Sequence, residues 1–319
     1  MSTSNAGIKW GLVSTIKAPT DEILKFCAHH LDLGAHRLFI YLDDDNQEAY
    51  RILSDHPKIR PVLTDDRYWK KLGMKRRVKH QSRQFQNARH AYGRAVDVDW
   101  LTHIDVDEFL WPETALGPSL AALAPECLCA RVRPVEALSG AIDAPTQFKG
   151  FSLNPGVRRR QTEKIYPTFG AHLNGGFLSH VAGKMFYRTG VADLKVQIHN
   201  VFVGEEMNPG QIELESCKLL HMHAQSWPAF WRAFQFRMEK GSYRSELKPN
   251  RPRANGGLSL HELFTTIYEA EGETGMHAFY DEVCAGSEDL QRRLSEFGLL
   301  HSCDLELEDK RDRYFPEIL

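Results

Sequence analysis

The first hundred residues alternate between short apolar runs and amphipathic stretches, and this alternation constrains the fold more than any other feature. Apolar runs typical of buried strands lie at 9–16, 37–42, 59–63 and 100–104. Helical periodicity fills the intervals, with predicted helices at 20–33, 47–54 and 74–95. Because strands joined by crossover helices run parallel, the pattern predicts an α/β fold with a mostly parallel mixed sheet flanked by helices.

The second half of the chain has a different pattern. Strand-like runs at 128–135, 181–187, 196–203 and 218–221 are separated by long loops, and residues 141–176 are expected to form mostly loop. A structureless stretch of that length usually has a function in a compact domain. From residue 226 the periodicity is helical, with predicted helices at 226–244, 258–270, 275–284 and 287–297.

Composition excludes several classes of protein. A formal net charge of −2 over 319 residues gives no overall attraction to nucleic acid. No apolar run is long enough to span a membrane, and residues 1–6 are small and polar, unlike a signal peptide. Six cysteines scattered through a long chain predict reduced thiols and a cytoplasmic location.

The strongest chemical signal is the block Trp-Leu-Thr-His-Ile-Asp-Val-Asp-Glu-Phe-Leu-Trp at 100–111. Asp105 and Asp107 lie two residues apart after an apolar strand, so in an extended segment their carboxylates project to the same side. Like charges that close repel unless a cation lies between them. Oxygen ligands of this kind suit Mg²⁺ or Mn²⁺, and open α/β sheets bind ligands at the carboxyl ends of their strands. The alternative is a polar turn with solvated acids.

Three groups of residues, taken in order, resemble family 2-type glycosyltransferases of the branch with an Asp-x-Asp-Glu-Phe block. They are the helix, strand and acids at 21–45, the block at 100–110, and the late series Lys184, Arg188, His199, His221, Ser226, Phe230 and Lys240-Gly241. The resemblance covers roughly 8–245. It implies a GT-A catalytic domain at 1–245, and residues 246–319 are then expected to form a helical extension packed on the core.

The resemblance also implies an activity. It predicts metal-dependent, inverting transfer of a sugar from a UDP- or GDP-sugar to a saccharide or glycolipid acceptor. Asp105 and Asp107, with His221, would hold Mn²⁺ or Mg²⁺. The nucleotide diphosphate would contact the set Asp43, Arg83, Asn87, Asp105 and Lys184. Glu136 follows a predicted strand and is the expected base, with Asp193 and Glu213 as alternatives.

Two other functions stay open from the sequence. A metal-dependent phosphohydrolase or nucleotidyltransferase would use the same acidic turn, and His221 with His223 offers a further ligand pair. A non-catalytic nucleotide-sugar-binding relative is the other, because residues 16–19 read Ile-Lys-Ala-Pro where the family has Lys-Asn-Glu.

Partners beyond donor and acceptor are suggested only by the basic stretch 67–83. Its positive charges surround a predicted helix and suit a solvated face, although they are compatible with an anionic acceptor or peripheral membrane contact. The chain is also compatible with a homodimer.

Overall fold

A computed structural model describes residues 7–140, 145–179, 181–240, 249 and 252–316. In the first part of the chain the strands and helices are β1 Trp10–Ile16, α1 Thr20–Asp32, β2 Arg37–Leu42, α2 Gln47–Ser54, β3 Ile59–Leu63, α3 Asp66–Lys71, α4 His80–Tyr92, β4 Trp100–His103, β5 Glu108–Pro112 and α5 Leu116–Ala121.

The second part adds β6 Cys129–Ala137, β7 Thr146–Lys149, α6 Pro155–Ile165, β8 Lys184–Arg188, β9 Leu194–Val196, β10 Val201–Val203, β11 Glu206–Met207, β12 Ile212–His221, α7 Trp227–Lys240, α8 Leu260–Val283, α9 Glu288–Glu296, β13 Leu300–Cys303 and α10 Leu307–Tyr314.

The chain divides into two compact units. The first unit comprises Met1–Arg133, Ala182–Leu219 and Glu306–Leu319, and the second comprises Pro134–Val181 and Leu220–Leu305. Residue 245, the predicted end of the catalytic domain, falls within the second unit and outside the described residues. The functional extent of that domain stays a prediction.

The first unit is built on parallel strands. β1 pairs in parallel with β2 and with β4, and β2 pairs in parallel with β3. β4 then pairs antiparallel with β8, and β8 pairs antiparallel with the first half of β6. Every residue of β1 is buried, as expected for a central strand covered on both faces. The predicted α/β class, with a mixed sheet flanked by helices and a helical C-terminal region, is confirmed.

Helix boundaries in this unit follow local sequence signals. Asp21 and Glu22 lie in the first turn of α1, where carboxylates interact favourably with the helix dipole. Gly34 follows the helix with φ of +88°, a conformation that costs glycine little. The last helix, α10, packs on α1 through Lys25–Glu308 and Arg313–Asp32 ion pairs.

Two of the sequence predictions were wrong. The predicted helix at 74–95 begins only at His80, because long-range hydrogen bonds described below hold residues 74–79 in a non-helical path. The predicted long loop at 141–176 contains β7 and α6. Asn154 caps α6 by accepting from the amides of Gly156 and Val157, and Pro155 occupies the first turn.

The second unit has a core of its own. The end of β6 pairs with β7, and β7 pairs with β13, in both cases antiparallel. Buried side chains of α7, α8 and α9 form one apolar cluster, centred on Phe230, Phe264 and Phe279. The two helices predicted at 258–270 and 275–284 are observed as α8 with a break at Gly272, where φ is +61°.

Two predictions from composition, on membrane spans and on the state of the cysteines, can be compared with the described residues. Within them, no helix combines the length and apolarity that a bilayer crossing requires. All six cysteines lie in the described part, buried and free of disulfide bonds, as predicted for reduced thiols.

Candidate functional site

The predicted ligand-binding edge lies in the first unit, where the parallel strands end. Asp43 follows β2 and Asp105 follows β4, so both acids lie at the carboxyl edge of the sheet. Two neighbouring residues at the start of α4 reach them: Arg83 contacts Asp43, and Gln84 contacts Asp105. The amino end of one helix therefore connects acids that are 62 residues apart in sequence.

Asp43 is buried beneath three basic side chains. Arg83 donates from Nε and Nη2 to its carboxylate at 2.6–2.9 Å, and Arg76 Nη2 donates to Oδ1 at 2.9 Å. His80 Nδ1 lies 3.3 Å from Oδ2. Burial raises the pKa of Asp43, but hydrogen bonds from His80 and Arg83 and the charges of the two arginines hold it well below its ordinary value. Asp43 therefore fixes an arginine pair at this edge.

Arg83 also determines the path of residues 74–79. Its Nη1 donates to the carbonyl oxygens of Arg77 at 2.9 Å and Val78 at 2.7 Å. These carbonyls would otherwise accept hydrogen bonds within a helix. One buried guanidinium thus holds both the acid that follows β2 and the segment that precedes α4.

Asp105 has a positive charge directly beside it. Lys184 Nζ lies 2.6 Å from Asp105 Oδ2 and 3.1 Å from Glu108 Oε2, and Gln84 donates to Asp105 Oδ1 at 2.5 Å. Burial lowers the pKa of Lys184, but the charges of Asp105 and Glu108 outweigh it and hold the pKa above its ordinary value. An ammonium group of the chain thus relieves the repulsion between Asp105 and Glu108, whereas the predicted cation rests on the pair Asp105 and Asp107.

Asp107 lies on the same turn, partly exposed, between β4 and β5. Among the residues that the structure describes, no three His, Cys, Asp or Glu side chains are grouped to hold a metal. Mg²⁺ commonly takes only one or two protein carboxylates and completes its shell with phosphate oxygens and water. The donor set therefore fits an ion that binds together with a phosphorylated ligand, and the predicted Mn²⁺ or Mg²⁺ stays a prediction.

Asn87 is one turn further along α4 and is fully buried. Its Nδ2 donates to Thr15 Oγ1 at 3.0 Å, and its Oδ1 accepts from the Tyr68 hydroxyl at 2.8 Å. These bonds join α4 to β1 and α3. The predicted contact of Asn87 with nucleotide stays a prediction.

Sequence reasoning missed His103, the last residue of β4. Its side chain is buried, and neither ring nitrogen has a hydrogen-bond partner among the described residues. Burial, with the nearby charge of Lys184, lowers the pKa of His103 to about 3, so the ring is neutral at pH 7. Its position two residues before Asp105 could have identified it as a residue near the site, because alternate residues of a strand share a face.

We expect the protein to lose stability between pH 7.5 and 5.5. Burial lowers the pKa of His29 to about 4 and keeps those of His30 and His103 well below 6.5, so below pH 6.5 only the unfolded chain takes up these protons. Each histidine contributes about 1 kcal/mol over that interval, roughly 3 kcal/mol together. The pKa values of Asp43 and Glu136 are lowered from 3.8 and 4.5, so protonation of these two carboxyls changes the unfolding free energy only at lower pH.

Urea unfolding at the two pH values measures this effect. His103→Gln should reduce the difference in unfolding free energy between pH 7.5 and pH 5.5 by about 1 kcal/mol, the contribution of one histidine. A free energy that is unchanged or higher at pH 5.5 would contradict the expected protonation of the unfolded chain.

Glu136 belongs to the second unit, where it forms a buried ion pair with Lys149. Both are 1% exposed, with Nζ and Oε2 3.4 Å apart. Glu136 also accepts from the Ser179 amide at 2.8 Å and the Ser179 hydroxyl at 2.5 Å. Burial raises its pKa, but the charges of Lys149, His223 and His221 and the Ser179 bond prevail and lower it to about 2. These contacts hold the second unit together, and the role of Glu136 as a base stays a prediction.

His221 also lies in the second unit, at the end of β12. Its ring centroid is 5.0 Å from that of His223, which is buried and lies 2.8 Å from Arg237 Nη1 through Nε2. The predicted participation of His221 in a metal shell with Asp105 and Asp107 stays a prediction. Gly241, the last residue of the late series, lies outside the described residues.

The chain matches no protein-family model. It also matches none of the curated proteins. Among solved structures, HddC from Yersinia pseudotuberculosis is similar with 8% identity and a TM-score of 0.28, over 44% of this chain and 67% of that one. The apo bifunctional glycosyltransferase WbbM is similar with 12% identity and a TM-score of 0.29, over 59% of this chain and 32% of that one.

A mycobacterial protein is similar with 12% identity and a TM-score of 0.35, over 89% of this chain and 77% of that one. The chain spans well under two thirds of WbbM. Similarities of this size carry no argument about activity, and the α/β class rests on the strand pairing itself.

Proposed function

We propose that the chain is a glycosyltransferase of GT-A type, which transfers a sugar from a UDP- or GDP-sugar to a saccharide or glycolipid acceptor with inversion. The observation that carries the proposal is the convergence of Asp43, Arg83, Asp105 and Lys184 in the first unit. These residues come from three separate blocks of the resemblance and from the basic stretch before β4, and their side chains form two adjacent ion-pair clusters linked by α4.

The charges at this edge suit a diphosphate ligand. Arg76 and His80 are each partly exposed beside Asp43, and they offer a guanidinium group and a ring nitrogen to phosphate oxygens. Breaking the glycosidic bond leaves negative charge on the diphosphate, and fixed cations lower the barrier by stabilising that charge. Arg83 and Gln84 hold the edge rigid, since each is bonded to an acid at a strand end.

The acidic turn supplies the second half of the site. A divalent ion would be held by Asp107 together with Asp105, and it would neutralise the leaving diphosphate when bound. Lys184 holds the Asp105 and Glu108 side chains in place, because both carboxylates lie within 3.1 Å of its Nζ. Glu108 further fixes the turn by accepting from the amide of Asp105 at 2.8 Å.

Nucleotide binding with and without metal tests this proposal. UDP or GDP should raise the unfolding temperature in the presence of Mn²⁺ and have a smaller effect in EDTA, since ligands that bind only the folded state stabilise it. Incubation with nucleotide sugars should release the nucleoside diphosphate. Release of nucleoside monophosphate and sugar 1-phosphate would instead indicate a phosphohydrolase. Conversion of nucleotide sugar and added pyrophosphate to nucleoside triphosphate and sugar 1-phosphate would indicate a nucleotidyltransferase, and binding without turnover a non-catalytic relative.

A further inference from the structure

One surface of the first unit is strongly basic although the whole chain is slightly acidic. Residues 67–96 contain no aspartate or glutamate and hold ten of the 40 lysines and arginines. The formal net charge of the chain is −2, so positive charge is concentrated here rather than general. Local concentration of this kind creates a potential that attracts anions.

The centre of this surface is the segment 72–79, named here the basic loop. Its Lys75, Arg77 and Lys79 side chains are exposed. The loop is fixed rather than helical because Arg83 donates to the carbonyls of Arg77 and Val78. That tethering turns Val78 outward between the basic residues, where it is 96% exposed.

A shallow cavity of about 480 Å³ opens beside the basic loop. Its lining combines basic side chains with an apolar floor and one acid, and consists of Asp66, Trp69, Lys70, Gly73, Met74, Lys75 and Arg76. Three basic side chains against one carboxylate favour an anionic group, although Arg76 among them also pairs with Asp43. The apolar floor favours a ligand that is not fully hydrated.

We propose that the basic loop docks the protein on an anionic phospholipid surface, with Val78 entering the interface and a lipid phosphate group lying in the adjacent cavity. Lysines and arginines near an anionic bilayer are each attracted electrostatically. An exposed aliphatic side chain among them gains by leaving water for the acyl boundary. A protein surface that binds single-stranded nucleic acid would instead present exposed aromatic side chains for stacking on bases, and the exposed apolar side chain of the basic loop is the aliphatic Val78.

Vesicle co-sedimentation tests the proposal with the full-length protein. Binding is expected to vesicles containing phosphatidylglycerol, to weaken with added salt, and to be absent from pure phosphatidylcholine. The double reversal Lys75→Glu/Arg77→Glu should lower the affinity at least tenfold, given about fivefold for each charge. The matched reversal Arg159→Glu/Arg160→Glu, on exposed residues of α6, should leave it unchanged.

The contribution of Val78 has a close control. Val78→Asp should weaken vesicle binding severalfold, whereas Val96→Asp, at a position 92% exposed outside the loop, should not. Equal effects of the two variants would overturn the proposal. It would also be overturned if an oligonucleotide bound more tightly than the vesicles. All four variants alter exposed side chains, so their unfolding temperatures should match that of the unmodified protein.

Discussion

Asp107→Asn is expected to lower kcat/KM for sugar transfer by about 10²–10³-fold, the usual effect of removing one group that stabilises transition-state charge. The amide keeps the size of the side chain but loses the charge that would hold a metal against the diphosphate. Because Asp107 is partly exposed, the fold should survive. The variant and the unmodified protein are compared by their initial rates of nucleoside diphosphate release. Calorimetry measures the Mn²⁺-dependent nucleotide binding of each.

Glu113→Gln is the matched control for that variant. Glu113 follows β5 directly and pairs at 2.7 Å with Lys218, so the substitution removes a carboxylate close in sequence but not on the acidic turn. It should leave the rate within about twofold, as surface ion pairs contribute little. Unchanged turnover in Asp107→Asn would remove the metal from the proposed chemistry.

Lys184→Met is expected to destabilise the fold by about 3 kcal/mol, the usual cost of removing one partner from a buried ion pair. The substitution leaves the carboxylates of Asp105 and Glu108 without the ammonium group that both now contact, so their mutual repulsion is no longer compensated. The same loss of charge should increase the affinity of the nucleotide-free protein for Mn²⁺. Urea unfolding and Mn²⁺ titration by electron paramagnetic resonance measure the two effects.

A second substitution distinguishes charge from packing at this position. In Lys184→Met/Glu108→Gln one of the two facing acids is neutral, so part of the lost unfolding free energy should return and Mn²⁺ affinity should fall again. If the double variant were less stable than the single one, Lys184 would act through packing. Neither readout needs the transferase reaction, so both stand apart from the proposed activity.

Elements with strong local patterns could be predicted from the sequence. β2 and α2 were predicted with the bounds that the structure has, because a short apolar run and the helical periodicity that follows it are local signals. The amphipathic helices α7 and α9 were also predicted to within a few residues of their bounds, because their apolar positions recur at helical spacing.

The basic loop shows where such reasoning fails. Residues 74–79 have good helix propensity, yet bonds from Arg83 to two loop carbonyls and from Arg76 to Asp43 replace the helical ones. Propensities amount to a few tenths of a kcal/mol per residue. A buried, charge-assisted network is stronger, and its acid lies 33 residues away in sequence.

For the candidate site, the sequence by itself determined the chemistry of the residues: acids at the end of a buried strand, basic side chains on the preceding segment, and a strand-helix alternation that brings strand ends to one edge. Only the tertiary structure decided which charges compensate one another. Lys184 is 79 residues from Asp105, and Glu136 is joined to Lys149 and Ser179 rather than left at a surface. Ion pairing depends on distance in space and on burial, and periodicity along a chain reports neither for residues so far apart.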